Sequence, residues 1–189
     1  MMSKQRDILP KVLDIILRDA PDSSVALGGS VSFGNERPDS DIDILVITRD
    51  VTDVGYPGGK IKFQNHGSKY FEATFDGVPL EVIYHTPETF EHLLVSKPWR
   101  GYKFLQVEIL HDPNRLIQSW KDQVSRWFVV HPDVAELWKR WLAEHSDRQL
   151  SRGKKLGEII KKFPDQMHDL WPYLDKQFEQ GSIAEPRSL

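Results

Sequence analysis

The sequence has no cysteine among its 189 residues, which excludes a disulfide framework, thiolate zinc sites, iron–sulfur clusters and a cysteine nucleophile. It also lacks long apolar runs: a stretch such as residues 44–47 is far shorter than the ~18 residues of a membrane-spanning helix. No uninterrupted apolar segment follows the N-terminus, so we expect no secretory signal, no membrane partner and a cytoplasmic location.

The chain has no large excess of charge of either sign. It carries 28 acidic and 25 basic side chains, a formal net charge of −3, which argues against nucleic acid as the main partner. Hydrophobic residues make up 39% and charged residues 28%, both typical of soluble globular proteins. A chain of this length is expected to form one domain with an appended subdomain and a core that needs no metal or disulfide to fold.

The first part of the chain alternates helical and strand patterns. Apolar residues recur at helical spacing at the start, and later segments show the alternation of period two that is typical of strands. Asp76-Gly77 lies between two such segments and favours a tight primed hairpin turn. The predicted elements are helices over 7–19 and 86–94 and strands over 25–27, 42–46, 69–75, 78–85 and 107–111.

The composition shifts after residue 113. Apolar residues then recur at helical spacing over several stretches, and five of the six tryptophans fall in this half. A tryptophan stripe could form a stacking platform for a ring, but at helical spacing it more often forms the core of a helix bundle, which is the interpretation we favour. We therefore expect an α/β domain over 1–113, a helical subdomain over 114–180 and a polar tail over 181–189.

Two acidic side chains open the second predicted strand. Asp41 and Asp43 are two positions apart, so both carboxylates should project from one face of the strand, a few ångströms from each other. Carboxylates this close repel each other unless a cation lies between them. Hard oxygen ligands suit Mg²⁺, which usually binds one or two protein carboxylates together with water and substrate phosphate. The pair therefore predicts a magnesium site.

A Gly-Ser pair lies where the first strand ends and a helix is expected to begin. Gly29 permits close approach of a phosphate to the backbone, while the Ser30 hydroxyl and the free amides of a helix N-terminus can donate hydrogen bonds to it. This stretch is a candidate phosphate site.

Glu81 is an acidic residue in a mostly apolar predicted strand, and the alternation turns it away from Leu80 and Val82. It could simply face solvent on an edge strand. Alternatively, an Asp/Asp/Glu set from neighbouring strands could hold two metals about 3.5–4 Å apart and support an in-line displacement at phosphorus.

Gly29-Ser30 followed by Ser40-Asp41-Ile42-Asp43, with a later strand carboxylate, resembles the nucleotidyltransferase superfamily that includes DNA polymerase beta. In size and layout the chain is similar to the small antibiotic nucleotidyltransferases of aminoglycoside and lincosamide type, and its first part resembles the minimal nucleotidyltransferases. The motif covers residues 28–81 and the fold resemblance about residues 1–113. The resemblance implies an α+β fold, a small mixed β-sheet with flanking helices, followed by a C-terminal helical subdomain.

The resemblance also implies a role for each matching residue. Gly29, Ser30 and Ser40 would contact the nucleotide, Asp41 and Asp43 would bind metal, and Glu81 would be the third carboxylate, as metal ligand, general base or both. Many relatives carry an arginine soon after the Gly-Ser pair, a position that is not basic here. The cation that neutralises the triphosphate therefore stays open among Arg37, Lys60, Lys62, Lys69 and the pair Lys154-Lys155.

The resemblance implies an enzyme that uses Mg²⁺ to transfer a nucleoside monophosphate, with AMP expected, from a nucleoside triphosphate to a hydroxyl of a small acceptor, releasing pyrophosphate. An antitoxin-like or regulatory nucleotidyltransferase that binds or modifies a partner protein is the alternative, and the appended helices favour the enzyme. Transfer to RNA ends is disfavoured by the acidic balance. A homodimer also fits, since in antibiotic-type enzymes the acceptor pocket often lies between two chains.

Overall fold

The computed structural model describes residues 3–150 and 171–179. Within the expected helical subdomain, residues 151–170, which include the Lys154-Lys155 pair, fall outside the described residues, and so does the polar tail. The elements are α1 (Lys4–Asp19), β1 (Ser24–Leu27), α2 (Gly29–Ser32), β2 (Ile42–Ile47), β3 (Lys60–Gln64), β4 (Ser68–Phe75), β5 (Val78–His85), α3 (Pro87–Phe90), β6 (Glu108–His111), α4 (Leu116–Val130), α5 (Pro132–Leu150) and α6 (Trp171–Glu179).

Helix α1 begins three residues before the predicted start because Ser3 caps it. The Ser3 side chain accepts a hydrogen bond from the backbone amide of Arg6, which satisfies one of the free donors of the first turn. The apolar face of α1, including Val12 and Ile16, is fully buried in a core that it shares with the sheet. This packing covers one face of the sheet.

The six strands form one mixed sheet in the order β3-β4-β5-β2-β1-β6. Strands β2 and β5 pair in parallel, and the other described pairs are antiparallel. The hairpin between β4 and β5 has positive φ angles at Asp76 (50°) and Gly77 (77°), as the primed turn requires. A mixed sheet with flanking helices and further helices after it confirms the expected α+β class.

Strand β3 was not among the predicted elements. It lies at one edge of the sheet and all five of its residues are exposed, so it buries no side chain that would give a hydrophobic signal. The alternation of lysine with Ile61 and Phe63 is nevertheless a short period-two pattern that could have indicated it.

The chain divides into two compact units. The first comprises residues 1–96 and 103–123 and contains the sheet; the second comprises residues 97–102 and 124–189. In the second unit, Trp138 is fully buried and its indole donates to the carbonyl of Trp99, whose ring stacks on Phe178 at 4.2 Å. Trp138 and Trp141, which belong to the predicted stripe, are thus both buried in a core, as expected. No described helix is both long and apolar enough to cross a membrane.

Candidate active site

Three carboxylates converge at one end of the central parallel pair of strands. Asp41 immediately precedes β2, and the parallel register places Asp43 of β2 opposite Glu81 of β5. One oxygen from each of the three side chains lies within 4.8 Å of the others. The structure thus brings together the Asp, Asp and Glu residues that the sequence singled out.

The cluster is electrostatically unfavourable as it stands. Burial and the negative charges of Asp41 and Glu81 raise the pKa of Asp43 to about 7. A divalent cation among the oxygens would offset both the cost of burying the charged carboxylate and the repulsion between the carboxylates. Carboxylate oxygens, completed by water and substrate phosphate, are the donors that Mg²⁺ prefers in proteins, so the residues fit the ion.

Gly29 is held directly against Asp43. Its φ of +61° lies in the left-handed region, and an added Cβ would collide with the Asp43 carboxylate. The neighbouring Gly28 amide donates to the Asp43 carbonyl at 2.8 Å. These contacts fix the Gly-Ser stretch beside the cluster and leave the Ser30 side chain half-buried next to it. Helix α2, which begins at Gly29 as expected, is a single turn.

Ser40 helps to shape the loop that leads into β2. Its buried hydroxyl accepts a hydrogen bond from the Arg37 amide at 2.9 Å, and its carbonyl accepts one from the Gln5 side chain at 3.2 Å. The nucleotide contact implied for Ser40 stays a prediction. Sequence reasoning missed Gln5, which is 1% exposed and also donates to the Arg37 carbonyl at 2.8 Å. A buried glutamine in α1 carries no local signal of this role, because its partners lie about 35 residues away.

The candidate cations have different surroundings. Lys69 is buried and donates to the carbonyls of Thr52 and Val54 at 2.9 and 2.8 Å, so it holds the loop before β3 in place. Two others form ion pairs: Lys62 with Glu72 at 2.7 Å and Arg37 with Asp39 at 3.4 Å.

A cavity of about 470 Å³ adjoins the carboxylates. Asp41 and Glu81 line it together with Lys60, Glu72 and Thr74, and its volume is typical of a small-molecule site. Among the candidate cations that the structure describes, Lys60 lines this cavity. Two further carboxylates lie on other strands of the sheet: Glu72 lies opposite Glu81 on β4, while Glu108 on β6 pairs with Arg6 at 3.0 Å.

Comparison with known proteins identifies the class. The nucleotidyltransferase domain family matches residues 9–105, just over half of the chain. The chain therefore belongs to the nucleotidyltransferase family, which confirms the family resemblance.

No curated protein matches the sequence. Among solved structures, that of a cytoplasmic RNA terminal U-transferase is similar to this chain, with 18% sequence identity and a TM-score of 0.37. The alignment covers 55% of this chain and 35% of that chain.

Proposed function

We propose that this protein is a Mg²⁺-dependent enzyme that transfers a nucleoside monophosphate, AMP by preference, from a nucleoside triphosphate to a hydroxyl of a small-molecule acceptor. The observation that carries the proposal is the convergence of Asp41, Asp43 and Glu81 within 4.8 Å of one another. The fixed Gly-Ser stretch on one side and a cavity of small-molecule size on the other add support.

Asp41, Asp43 and Glu81 would hold the metal. When bound, Mg²⁺ neutralises charge on the phosphates and on the oxygens that enter and leave phosphorus. Nucleotidyl transfer leaves little covalent work for protein groups, so the residues act mainly by positioning and by charge.

The other tasks in this scheme fall to Ser30, to Lys60 and, besides its part at the metal, to Glu81. The Ser30 hydroxyl donates a hydrogen bond to the phosphates, and Lys60 supplies positive charge at the cavity. The acceptor oxygen attacks the α-phosphorus, a new P–O bond forms and the bond to the leaving pyrophosphate breaks. Glu81 accepts the proton that the acceptor hydroxyl loses.

The decisive experiment has two parts. Each labelled triphosphate is incubated with Mg²⁺ and a panel of hydroxylated acceptors, and pyrophosphate and adduct masses are measured. Calorimetry then compares triphosphate binding with Mg²⁺ and with EDTA. We expect Asp41→Asn to lose metal-dependent binding and Asp39→Asn to keep it, because Asp39 is exposed and outside the cluster. Equal triphosphate affinity with and without metal in the wild type would contradict the proposal.

The two roles open to Glu81 can be separated with Glu81→Gln. If the carboxylate is chiefly the general base, this change should lower turnover by about 10²–10⁴-fold and leave metal and triphosphate binding nearly intact. If it is chiefly a ligand, binding should weaken together with turnover. We favour the base or a dual role, because Asp41 and Asp43 already provide two oxygens for one Mg²⁺. Full turnover in this variant would remove Glu81 from the site.

The proposal also includes a helical subdomain over 114–180, a cytoplasmic location and a homodimer. Light scattering coupled to size exclusion would test the dimer. A monomer that retains full turnover would show that no second chain is needed to complete the acceptor pocket.

A further inference from the structure

The face of the sheet that carries the carboxylates presents two neighbouring rows of side chains across β2, β5, β4 and β3. The first, the charged row, consists in register order of Asp43, Glu81, Glu72 and Lys60. The second, the apolar strip, consists of Leu45, Ile83, Tyr70 and Phe63. Residues two apart on a strand share a face, and the bulge between Ile61 and Phe63 keeps Phe63 opposite Tyr70. The rows therefore lie about 6–7 Å apart.

The apolar strip is open to solvent. Ile83 is 36% exposed and Phe63 is 52% exposed, whereas Val82, which points to the other face of β5, is fully buried. A group of large exposed apolar side chains bordered by polar residues often marks a binding site, whereas single exposed apolar residues are ordinary. Here the group is continuous with the candidate active site.

The order of the strands indicates which of the two substrates would lie against the apolar strip. The Gly29-Ser30 stretch follows β1, on one side of the carboxylates, while β5, β4 and β3 extend on the other side. In an in-line displacement the incoming oxygen and the leaving pyrophosphate lie on opposite sides of phosphorus. With the phosphates at Gly29-Ser30, the acceptor hydroxyl must approach from the side of β5, β4 and β3.

One residue connects the two rows. Burial and the neighbouring Glu81 carboxylate raise the pKa of the Tyr70 hydroxyl, so Tyr70 of the apolar strip lies beside Glu81 of the charged row. A molecule that covers the Ile83 and Tyr70 side chains therefore lies beside Glu81, which is two residues from Ile83 on β5. The polar cavity lined by Lys60, Glu72 and Thr74 adjoins the same carboxylate.

We infer that the apolar strip is the acceptor subsite, and that the acceptor is a hydroxyl compound with an aromatic or other planar apolar group. That group covers Ile83, Tyr70 and Phe63, and the hydroxyl lies at Glu81. The inference rests on the proposed function and deepens it by naming the class of acceptor.

The test uses two probes with the same sugar hydroxyls, phenyl β-D-glucopyranoside and methyl β-D-glucopyranoside. Their dissociation constants are measured by calorimetry or ligand-observed NMR on the full chain with Mg²⁺ and a triphosphate analogue that cannot be cleaved. Because partial burial of a phenyl ring removes substantial apolar area from water, we expect the phenyl compound to bind about 10-fold more tightly.

Phe63→Ser should reduce this preference to about twofold or less, since the ring loses most of its partner surface. The variant should fold, because Phe63 is exposed on an edge strand. Val129→Ser is the matched control: Val129 is 75% exposed on α4, outside both rows, and its loss should leave the preference unchanged. Phe63→Tyr, which retains a ring, should restore the preference.

Equal affinities for the two glucosides in the wild type, or an unchanged ratio in Phe63→Ser, would overturn the inference. Weakening of triphosphate binding alone in Phe63→Ser would also overturn it and assign the strip to the nucleobase. Failure of the proposed function would give a distinct result. The wild type would then show no Mg²⁺-dependent triphosphate binding, whatever the ratio of the dissociation constants of the two glucosides.

Discussion

Strands β2 and β5 have two faces of opposite character, built from alternating residues of the same short segments. On the inner face, Ile44 is 2% exposed and Val82 is fully buried. On the outer face, Asp43 and Glu81 form a carboxylate cluster that is unfavourable without a cation. The inner face therefore stabilises the fold by burying apolar side chains, and the outer face carries the candidate catalytic groups.

The comparison shows why the site is rigid. Side chains on a strand alternate with a period of two, so a shift of register by one residue would turn the carboxylates inward and the core residues outward. The buried inner face excludes that shift. The positions of the carboxylates are therefore as well determined as the core itself.

The largest effect should come from breaking the inner face with a matched pair of substitutions. Ile44→Ala removes a buried side chain and should lower the free energy of unfolding by about 2–5 kcal/mol. Ile83→Ala, on the outer face, should lower it by less than about 1 kcal/mol. Chemical denaturation of both variants measures this difference. Equal losses would show that the two faces do not differ as described.

The next effect concerns the outer face, where replacing Asp43 should stabilise the protein rather than destabilise it. Its pKa is about 7 in the folded protein and near 3.8 when unfolded, so the folded state binds an extra proton between these values. Stability of the metal-free protein should therefore fall as the pH rises from about 4 to 7, by up to a few kcal/mol.

Asp43→Asn should remove this pH dependence and stabilise the metal-free protein at pH 8. Unfolding in EDTA at pH 5 and pH 8 tests it, with Asp39→Asn as the control that keeps the wild-type dependence. Mg²⁺ should restore stability to the wild type but not to Asp43→Asn. Identical wild-type stability at both pH values would rule out the cost assigned to the cluster.

Much of the fold follows from local patterns in the sequence. The alternation in β2 and β5 reflects one buried face, and Asp76-Gly77 satisfies the positive φ angles of the hairpin turn. Strand β3 escaped prediction because an exposed edge strand pairs on one side and buries nothing. The start of α1 was missed because a cap at Ser3 depends on one hydrogen bond rather than on periodicity.

The site could be predicted in part. The spacing of Asp41 and Asp43 places them on one face by geometry alone, but the contact with Glu81 needs the parallel pairing of β2 and β5. That pairing joins segments more than 30 residues apart, and the family resemblance, not a local pattern, implied it. The structural roles of Gln5 and Lys69 depend on carbonyls contributed by distant loops, so no motif marks them.

A pair of glycines gives a smaller and more local test of the outer face. Gly29 and Gly34 both have positive φ, +61° and +69°, so alanine at either should cost about 1–2 kcal/mol of stability. At Gly34 the added Cβ meets no atom within 4 Å, whereas at Gly29 it collides with Asp43. Gly29→Ala should therefore also lose Mg²⁺-dependent triphosphate binding, measured by calorimetry, and Gly34→Ala should not. Retained binding in Gly29→Ala would show that this contact does not shape the site.

The smallest expected effect concerns the Ser30 hydroxyl, which the outer face uses for binding and the core does not need. Ser30→Ala should leave the unfolding free energy nearly unchanged, because Ser30 is only half-buried. It should weaken triphosphate binding about fivefold to tenfold, equivalent to about 1–1.4 kcal/mol, since a hydrogen bond to a charged phosphate is lost. Ser96→Ala is the control, because the Ser96 hydroxyl is exposed and donates to the His92 carbonyl, away from the carboxylates. If the two variants bind triphosphate equally well, the Gly-Ser stretch does not hold the phosphates, and the direction from which the acceptor approaches would have to be assigned anew.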